Sequence, residues 1–238
     1  MRRLIIALFS ALTLLCLPLA APCLLIPRMA ADTQTYSAGF SACADTRAMG
    51  VLPSQYDAIA QALSRYFAGQ ADTPQVQILK NDAPAAAFNE KELQHLSDVR
   101  TLFQALRTAG LILAGAAAAL LGGACAAGLG KGFSARTLAR TVLLGWAGTL
   151  ALIAALLLWA ALDFNSLFVL LHRLLFSNEL WLMDPQTDLI ILLMPESFFT
   201  LLAGQLLRLL ARTLWPLAVI LVILLCFSFK PMKSGKPI

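Results

Sequence analysis

Four long stretches without a charged residue constrain the fold of this 238-residue chain more than any other feature. They cover residues 4–27, 108–130, 141–162 and 213–229, and the last extends back to residue 209 if Arg212 reaches toward the membrane surface. About 20 helical residues cross a hydrocarbon core of roughly 30 Å. Only 13% of the residues are charged, against about a quarter in soluble domains. The sequence therefore predicts a membrane protein, mainly α, with four transmembrane helices.

Lysine and arginine residues near the ends of these stretches predict the orientation. Cytoplasmic loops carry an excess of both residue types. Four spans place all three clusters on one side, so both termini are predicted to be cytoplasmic. The net charge of +5 is then a signal of topology, and no nucleic-acid partner is predicted. The clusters are Arg2 and Arg3; Lys131, Arg136 and Arg140; and Lys230, Lys233 and Lys236.

This topology divides the chain into membrane, cytoplasmic and external parts. The spans are 4–27, 108–130, 141–162 and 209–229. The cytoplasmic parts are 1–3, the loop 131–140 and the tail 230–238. The external segments, 28–107 and 163–208, are predicted to form a small extracytoplasmic cap together.

Two alternatives compete with this assignment of spans. Residues 189–207 are apolar enough for a fifth span, but Pro195 and Glu196 lie at their centre, and a fifth span would place the lysine-rich tail outside. The N-terminus, with two arginines, an apolar run and the residues Met29, Ala30 and Ala31, resembles a signal peptide with a cleavage site. Its apolar run exceeds the roughly 7 to 15 residues of a signal-peptide h-region, which favours a retained first helix.

The cysteines and histidines predict neither a disulfide framework nor a metal site. Cys43 alone lies outside the spans, so it has no intramolecular partner there. The chain has two histidines, far apart in sequence and without an adjacent second ligand, which is a weak metal signal. No metal or other cofactor is predicted. The cysteines within the predicted spans are Cys16, Cys23, Cys125 and Cys226.

The first external segment contains a predicted helix and a short strand. Ser54 is the predicted N-cap, Gly69 the stop, and residues 75–79 the strand. The simplest interpretation of this part of the segment is a passive lid. The apolar face of the helix is predicted to consist of Ile59, Leu63, Tyr66 and Phe67.

The stretch FNEKELQHLSDVRTLF, residues 88–103, carries a strong helix-start signal. Asn89 is the predicted N-cap with Glu92 at N3, and the flanking apolar residues Phe88 and Leu93 suit a hydrophobic staple. Glu92, His95 and Asp98 recur every three residues, so they share one face, and either carboxylate is able to bond the imidazole. A plainer interpretation leaves Glu92 as a cap, Asp98 in solvent and His95 without a role.

A second polar stretch lies in the other external segment. A helix over residues 164–176 aligns four aromatic residues on one stripe, a pattern that is also typical of packing surfaces and of interfacial anchors. Asp184 and Pro185 predict a further helix start. Residues 176–183, with Asn178 and Trp181, are then a turn. The stripe consists of Phe164, Phe168, His172 and Phe176.

These two stretches, FNEKELQHLSDVRTLF and LLHRLLFSNELWLMDPQTDLIILLMPESFF, resemble the paired signatures of the bacterial lipoprotein intramolecular transacylases. The resemblance implies that His95 and His172 are catalytic. Glu92, Asp98, Phe168 and Phe176 are candidates to support the pair. At Leu175 and Met183 the sequence departs from the aromatic residues expected there. Arg173, next to His172, is a further candidate. The remaining supporting positions implied by the resemblance are Asn178, Trp181, Asp184, Pro185, Asp188, Pro195, Glu196 and Phe199.

The resemblance implies a specific reaction in the bacterial plasma membrane, with the active site on the extracytoplasmic side. The substrate is a diacylated lipoprotein within membrane lipid, and its sn-2 acyl chain moves from the glycerol oxygen to the α-amino group of the lipidated cysteine. The histidines act as general acid and base, and Arg173, Asn178 or Trp181 stabilises the oxyanion. Alternatives are acyl transfer between two separate lipids and a non-catalytic membrane subunit whose cap binds a partner.

Overall fold

The computed structural model describes residues 2–128, 148, 151 and 153–227, and this part of the chain is mainly helical. A short two-stranded sheet and two 3₁₀ turns, Arg47–Met49 and Pro53–Gln55, lie between the early helices. The helices are α1 (Arg2–Ala30), α2 (Thr33–Cys43), α3 (Tyr56–Phe67), α4 (Glu90–Gly128), α5 (Ile153–Leu162), α6 (Phe164–Leu175), α7 (Leu189–Leu193) and α8 (Glu196–Phe227). The strands are β1 (Gln77–Lys80) and β2 (Ala83–Ala86).

Within the described residues, the helical stretch Glu90–Leu120 is long and apolar enough to cross a membrane. Shorter apolar helices cover Pro18–Ala30, Ile153–Leu162 and Phe164–Leu175. The predicted loop 131–140, the tail 230–238 and, within the predicted span 141–162, residues 141–147, 149, 150 and 152 lie outside the described residues. The count of four spans therefore stays a prediction.

Two helices run without a break through the predicted borders between span and cap. Helix α4 continues through residues 107 and 108, and α8 continues through residues 208 and 209. A continuous helix couples the position of a span to that of the cap residues on the same helix. Helix α1 packs along α4. A Cβ at Gly110 would lie only 2.8 Å from Leu24, so the absence of a side chain permits this close approach.

Both predicted external segments contribute to one hydrophobic core. The rings of Phe40 and Phe198 are 5.8 Å apart, and Tyr56 meets Phe40 edge to face at 6.0 Å. Gly39 lies against the ring of Phe198, which would clash with any Cβ at this position. The core thus joins α2 and α3 to α7 and α8. Its buried members also include Tyr36, Val51, Ile59, Leu63, Tyr66, Ile78, Phe88, Leu96, Leu189, Ile190 and Leu193.

Helix α3 confirms part of the sequence prediction. Ile59, Leu63 and Tyr66 are buried, and Gly69 follows the helix end with a φ of +75°. The prediction of Ser54 as the N-cap is wrong. Pro53 begins a 3₁₀ turn that includes Ser54, and the helix starts only at Tyr56, with no side-chain cap.

The predicted strand is present but shifted. Gln77–Lys80 pairs antiparallel with Ala83–Ala86, which the sequence did not predict as a strand. Asn81 and Asp82 form the turn with φ values of 51° and 63°. Both residue types tolerate this left-handed conformation, which suits a two-residue hairpin turn.

The predicted helix start at Asp184 is wrong. Residues 185–187 form a turn, and α7 begins at Leu189 with Asp188 as its N-cap. The Asp184 side chain accepts a hydrogen bond from the backbone N–H of Gln186. The backbone carbonyl of Asp184 accepts one from the N–H of Asp188. These bonds close a compact turn and do not propagate a helix, so Pro185 occupies a turn position.

Candidate active site

The start of α4 is fixed by a reciprocal capping box. The Asn89 side chain accepts a hydrogen bond from the Glu92 N–H at 2.9 Å, and Glu92 Oε2 accepts one from the Asn89 N–H at 2.8 Å. The predicted N-cap is confirmed. Glu92 is fully buried, and its Oε1 also accepts a hydrogen bond of 2.7 Å from the Ile190 N–H. Burial raises the pKa of Glu92, although these two backbone donors oppose the rise.

Asp188 forms a second buried acceptor beside this capping box. Asn89 Nδ2 donates to it at 2.8 Å, Lys91 Nζ at 3.2 Å and the Asp184 N–H at 2.8 Å. Burial acts to raise the pKa of Asp188, but the hydrogen bonds outweigh it and the net shift is downward. The segment before α7 is thereby fastened to the first turn of α4. We name Asn89, Lys91, Glu92 and Asp188 the polar joint.

The two histidines meet one turn further along α4. His95 lies on α4 and His172 on α6, and their ring centroids are 6.2 Å apart with an angle of 30° between the planes. The ring centroid of Phe168 lies 3.9 Å from that of His172. The Trp181 ring also contacts the His172 imidazole, at a centroid distance of 5.1 Å. Phe176 contacts both imidazoles, at 5.2 Å from His95 and 5.6 Å from His172. The pair is therefore enclosed by aromatic rings.

His172 is held by its own helix. Its Nδ1 lies 2.8 Å from the carbonyl oxygen of Phe168. Because a carbonyl accepts and does not donate, this contact requires the proton on Nδ1. The neutral imidazole then carries its lone pair on Nε2. Burial lowers the pKa of His172, with the bond to Phe168 acting in the opposite direction.

His95 is buried, and one of its ring nitrogens lacks a hydrogen-bond partner among the described residues. The residue is 8% exposed, and its Nδ1 has no hydrogen-bond partner among the described residues. Burial and the neighbouring His172 lower its pKa to about 4, and Asp98 offsets this only in part. His95 is therefore neutral at pH 7. A buried imidazole nitrogen without a partner is an unusual feature that calls for a functional explanation.

The sequence expectation that Glu92 or Asp98 bonds the imidazole is not met. Glu92 is saturated by backbone donors, and Asp98 accepts a 2.9 Å hydrogen bond from Asn178 Nδ2. The Asn178 carbonyl in turn accepts from the Trp181 indole N–H at 3.0 Å. Asp98 therefore contributes through the loop that carries Trp181. The Trp181 indole N–H and one of the two Asn178 Nδ2 hydrogens already have acceptors.

Of the other predicted site residues, one packs against the rings around the histidines, and others have no contact with the pair. Phe199 packs on Phe168 with a centroid distance of 5.6 Å, so it supports the aromatic wall. Asp184 and Glu196 are exposed, and neither side chain has a hydrogen bond or ring contact to the histidines. Arg173 is exposed and lines a cleft beside Phe176. Among the described residues, no three side chains of the His, Cys, Asp or Glu type gather as metal ligands.

Lys91 was not among the residues predicted for the site. Besides its bond to Asp188, its ammonium donates to the carbonyl of Leu182 at 2.6 Å, which ties α4 to the loop that carries Trp181. A lysine in the first turn of a helix carries no sequence signal of such a role. Only the return of the chain 91 residues later provides its acceptors.

The described residues form a mainly helical protein in which one helical stretch is long and apolar enough to cross a membrane, and two imidazoles meet in an aromatic pocket. The chain belongs to the lipoprotein intramolecular transacylase family, Lit, whose family model matches residues 9–199. A solved structure titled as the membrane integral lipoprotein intramolecular transacylase Lit from Bacillus cereus is similar in fold. Its TM-score is 0.55 at 20% identity, covering 95% of this chain and 94% of that one. A comparison with curated proteins gives no significant match.

Proposed function

We propose that this protein converts diacylated bacterial lipoproteins to the lyso form. The sn-2 acyl chain of the diacylglyceryl-cysteine moves to the α-amino group of the same cysteine. The observation that carries the proposal is the 6.2 Å approach of His95 and His172, which come from segments far apart in the chain. Membership of the transacylase family supplies the substrate class.

The imidazole pair suits the proton transfers of aminolysis. The attacking α-amine loses a proton, and the departing glyceryl oxygen gains one, so the reaction needs a base and then an acid. His172 acts as the base through Nε2, because its Nδ1 is turned to the Phe168 carbonyl. Its pKa, lowered by burial, keeps it unprotonated near neutral pH. Each positioned proton transfer contributes about 10²- to 10⁴-fold to the rate.

His95 returns the proton to the glyceryl oxygen. Its pKa of about 4 means that an imidazolium at this position gives up its proton readily. The same burial and the adjacent imidazole prevent both rings from being charged together. One proton therefore serves the pair, passing from amine to His172 and through His95 to the leaving oxygen. The nucleophile belongs to the substrate, so no acyl-enzyme is required.

The aromatic wall contributes by orientation. Amine and ester carbonyl belong to one flexible lipid, and their reaction closes a medium-sized ring that is rarely populated in the free molecule. Phe168, Phe176 and Trp181 surround the imidazoles at centroid distances between 3.9 and 5.6 Å and so confine the reacting groups. Holding reactive partners in contact contributes several kcal/mol to rate acceleration.

We propose that the site lies at the extracytoplasmic surface of the plasma membrane, in a cap on four spans with both termini cytoplasmic. Helix α6 supports a membrane contact, since leucine side chains cover the side next to the histidine stripe. Leu174 is 71% exposed, and Leu170 and Leu171 are exposed beside it. Such a surface suits lipid and brings acyl chains to the edge of the aromatic pocket.

Mass spectrometry of lipoprotein N-termini tests this function. Cells with and without the protein are compared, and the expected result is a lyso form with an N-linked acyl chain only where the protein is present.

In a second experiment, purified protein is given a diacyl lipopeptide and its N-acetylated counterpart. Transfer within one molecule requires the free amine, so the blocked substrate stays unchanged. If the acyl chain of a labelled blocked lipid appears on a second molecule, the reaction is intermolecular and the proposal is wrong. If neither experiment yields any acyl transfer, the chain is a non-catalytic subunit.

A further inference from the structure

A cleft that shares two walls with the histidine pocket has no part in the proton transfers. It has a volume of about 290 Å³, and its lining includes Phe176 and Trp181 together with Arg173 and Glu179. Phe176 and Trp181 also contact the His172 imidazole. The cleft and the reaction pocket are therefore separated by the thickness of one aromatic side chain.

Half of the residues that line the cleft are polar, unlike the leucine side of α6, and the other half are Val169, Phe176, Trp181 and Leu182. Ser177 and Asn178 lie in its lining between the arginine and the glutamate. Arg173 and Glu179 are both exposed, and neither side chain has a hydrogen bond or an ion pair to any described residue. The nearby charges of Lys91, Asp98 and Asp188, by contrast, all have protein partners. A cation and an anion without partners beside an active site favour a ligand that presents both donors and acceptors.

We propose that this cleft binds the peptide that follows the lipidated cysteine of the substrate. The inference rests on the proposed function. An acyl chain would match the four apolar lining residues but would leave the four polar ones, two of them charged, without partners. A lipid phosphate would pair with Arg173 but would be repelled by Glu179. A peptide main chain carries both donors and acceptors and no net charge, so it suits the whole lining.

The lengths are compatible with this assignment. The reacting amine and the first peptide bond belong to the same cysteine residue, so the peptide leaves the reaction site at once. An extended chain advances at most about 3.3–3.6 Å per residue, so residues two to four after the cysteine reach roughly 10 Å. Trp181 lies 5.1 Å from the His172 ring, between the pocket and the cleft. We therefore expect those residues to pass the aromatic wall and to enter the cleft that Arg173 and Glu179 line.

Charge-swapped lipopeptides test the cleft. Synthetic diacyl lipopeptides with two aspartates, two lysines or two serines at the second and third positions after the cysteine are given to the full-length protein in detergent, and kcat/KM is measured for each. The variants are Arg173→Glu and Glu179→Lys, and the matched controls Arg65→Glu and Asp57→Lys reverse exposed charges on α3. Arg173→Glu is expected to shift the lysine-to-aspartate preference toward lysine by about three- to tenfold, and Glu179→Lys toward aspartate by a similar factor.

The outcomes separate this inference from the proposed function. If wild-type protein forms no lyso lipopeptide, both fail. If wild-type protein is active and the two cleft variants keep its charge preference, the peptide assignment alone is wrong. An equal preference shift in the α3 controls also overturns the peptide assignment. The shift would then reflect the electrostatic potential of the whole protein and not a contact in the cleft. A shift that instead follows the charge of the added phospholipid, with serine peptides as substrate, assigns the cleft to a headgroup and also overturns it.

Discussion

Glu92 of the polar joint and His95 of the histidine pair lie on neighbouring turns of α4, and they differ in whether their buried polar atoms have hydrogen-bond partners. Glu92 is fully buried, and both of its oxygens accept hydrogen bonds. His95, three residues later, is nearly as buried, yet its Nδ1 has no partner among the described residues. Saturated groups fix the relative position of chain segments, whereas an unsatisfied one has a cost that stability alone does not explain. This difference is expected between a structural site and the reactive site that we propose.

The polar joint also fixes the position of the chain segments around the proposed reactive site. Glu92 fixes α4 against the start of α7, and Lys91 holds the loop at Leu182. That loop carries Trp181, which packs on His172. The pair thus depends on a rigid support next to it, and four substitutions separate the two roles, from the largest expected effect to the smallest.

Replacing the base has the largest expected effect. His172→Asn offers an amide donor to the Phe168 carbonyl but has no basic nitrogen. We expect turnover per folded protein to fall by about 10²- to 10⁴-fold, with little change in melting temperature. The measurement is conversion of a diacyl lipopeptide followed by mass spectrometry. A variant that retains more than a tenth of the wild-type turnover would contradict the assignment of His172 as base.

Replacing Glu92, whose two side-chain oxygens both accept hydrogen bonds, is expected to lower stability more than it changes the chemistry of the site. Glu92→Leu leaves the N–H groups of Asn89 and Ile190 without an acceptor, and we expect the free energy of unfolding to fall by about 3 kcal/mol. Thermal unfolding in a fixed detergent measures the loss. Glu90→Leu is the matched control, because Glu90 is exposed in the same helical turn and has no side-chain hydrogen bond. Equal destabilisation by both substitutions would show that the polar joint has no special role.

The pH dependence of stability tests the burial of His95. Its folded pKa is about 4, while an unfolded histidine has a pKa near 6.5. As the pH falls from 6.5 to 4, the unfolded chain binds a proton that the folded chain does not, so the folded state loses up to about 3 kcal/mol. His95→Phe is expected to remove this part of the loss. The check is the change in melting temperature between pH 7 and pH 4.5, which should be smaller in the variant; identical changes would mean that His95 titrates normally when folded.

The smallest expected effect belongs to the loop contact at Asp98. Asp98→Ala removes the acceptor of Asn178 Nδ2, an exposed bond that contributes about 0.5–1 kcal/mol. We expect turnover to fall about threefold, because Asn178 also positions the indole of Trp181. Asp98→Asn retains an acceptor oxygen and should recover most of the activity. A failure of this amide to restore turnover would indicate that the negative charge near His95, and not the loop contact, is what matters.

Much of the local structure followed from sequence patterns. The capping box at Asn89 and Glu92 was predictable because its members are three residues apart and interact through their own backbone. The stripe of α6 was predictable for the same reason, since a helical repeat places Phe168 and His172 on one face. The start of α7 was predicted wrongly at Asp184. There the competing acceptor was the carboxylate of Asp188, whose buried position depends on Asn89 and Lys91 of a distant helix.

The sequence by itself determined which residues are apolar, where α4 begins and which side chains share a helical face, because these properties depend on spacing within one segment. Only the tertiary structure decided that the two imidazoles are neighbours, that Glu92 bonds Ile190 and not His95, and that Lys91 reaches Leu182. Each of these contacts joins groups separated by 77 or more residues. Their formation depends on how α4, α6 and α7 pack against one core, and no local pattern encodes that geometry.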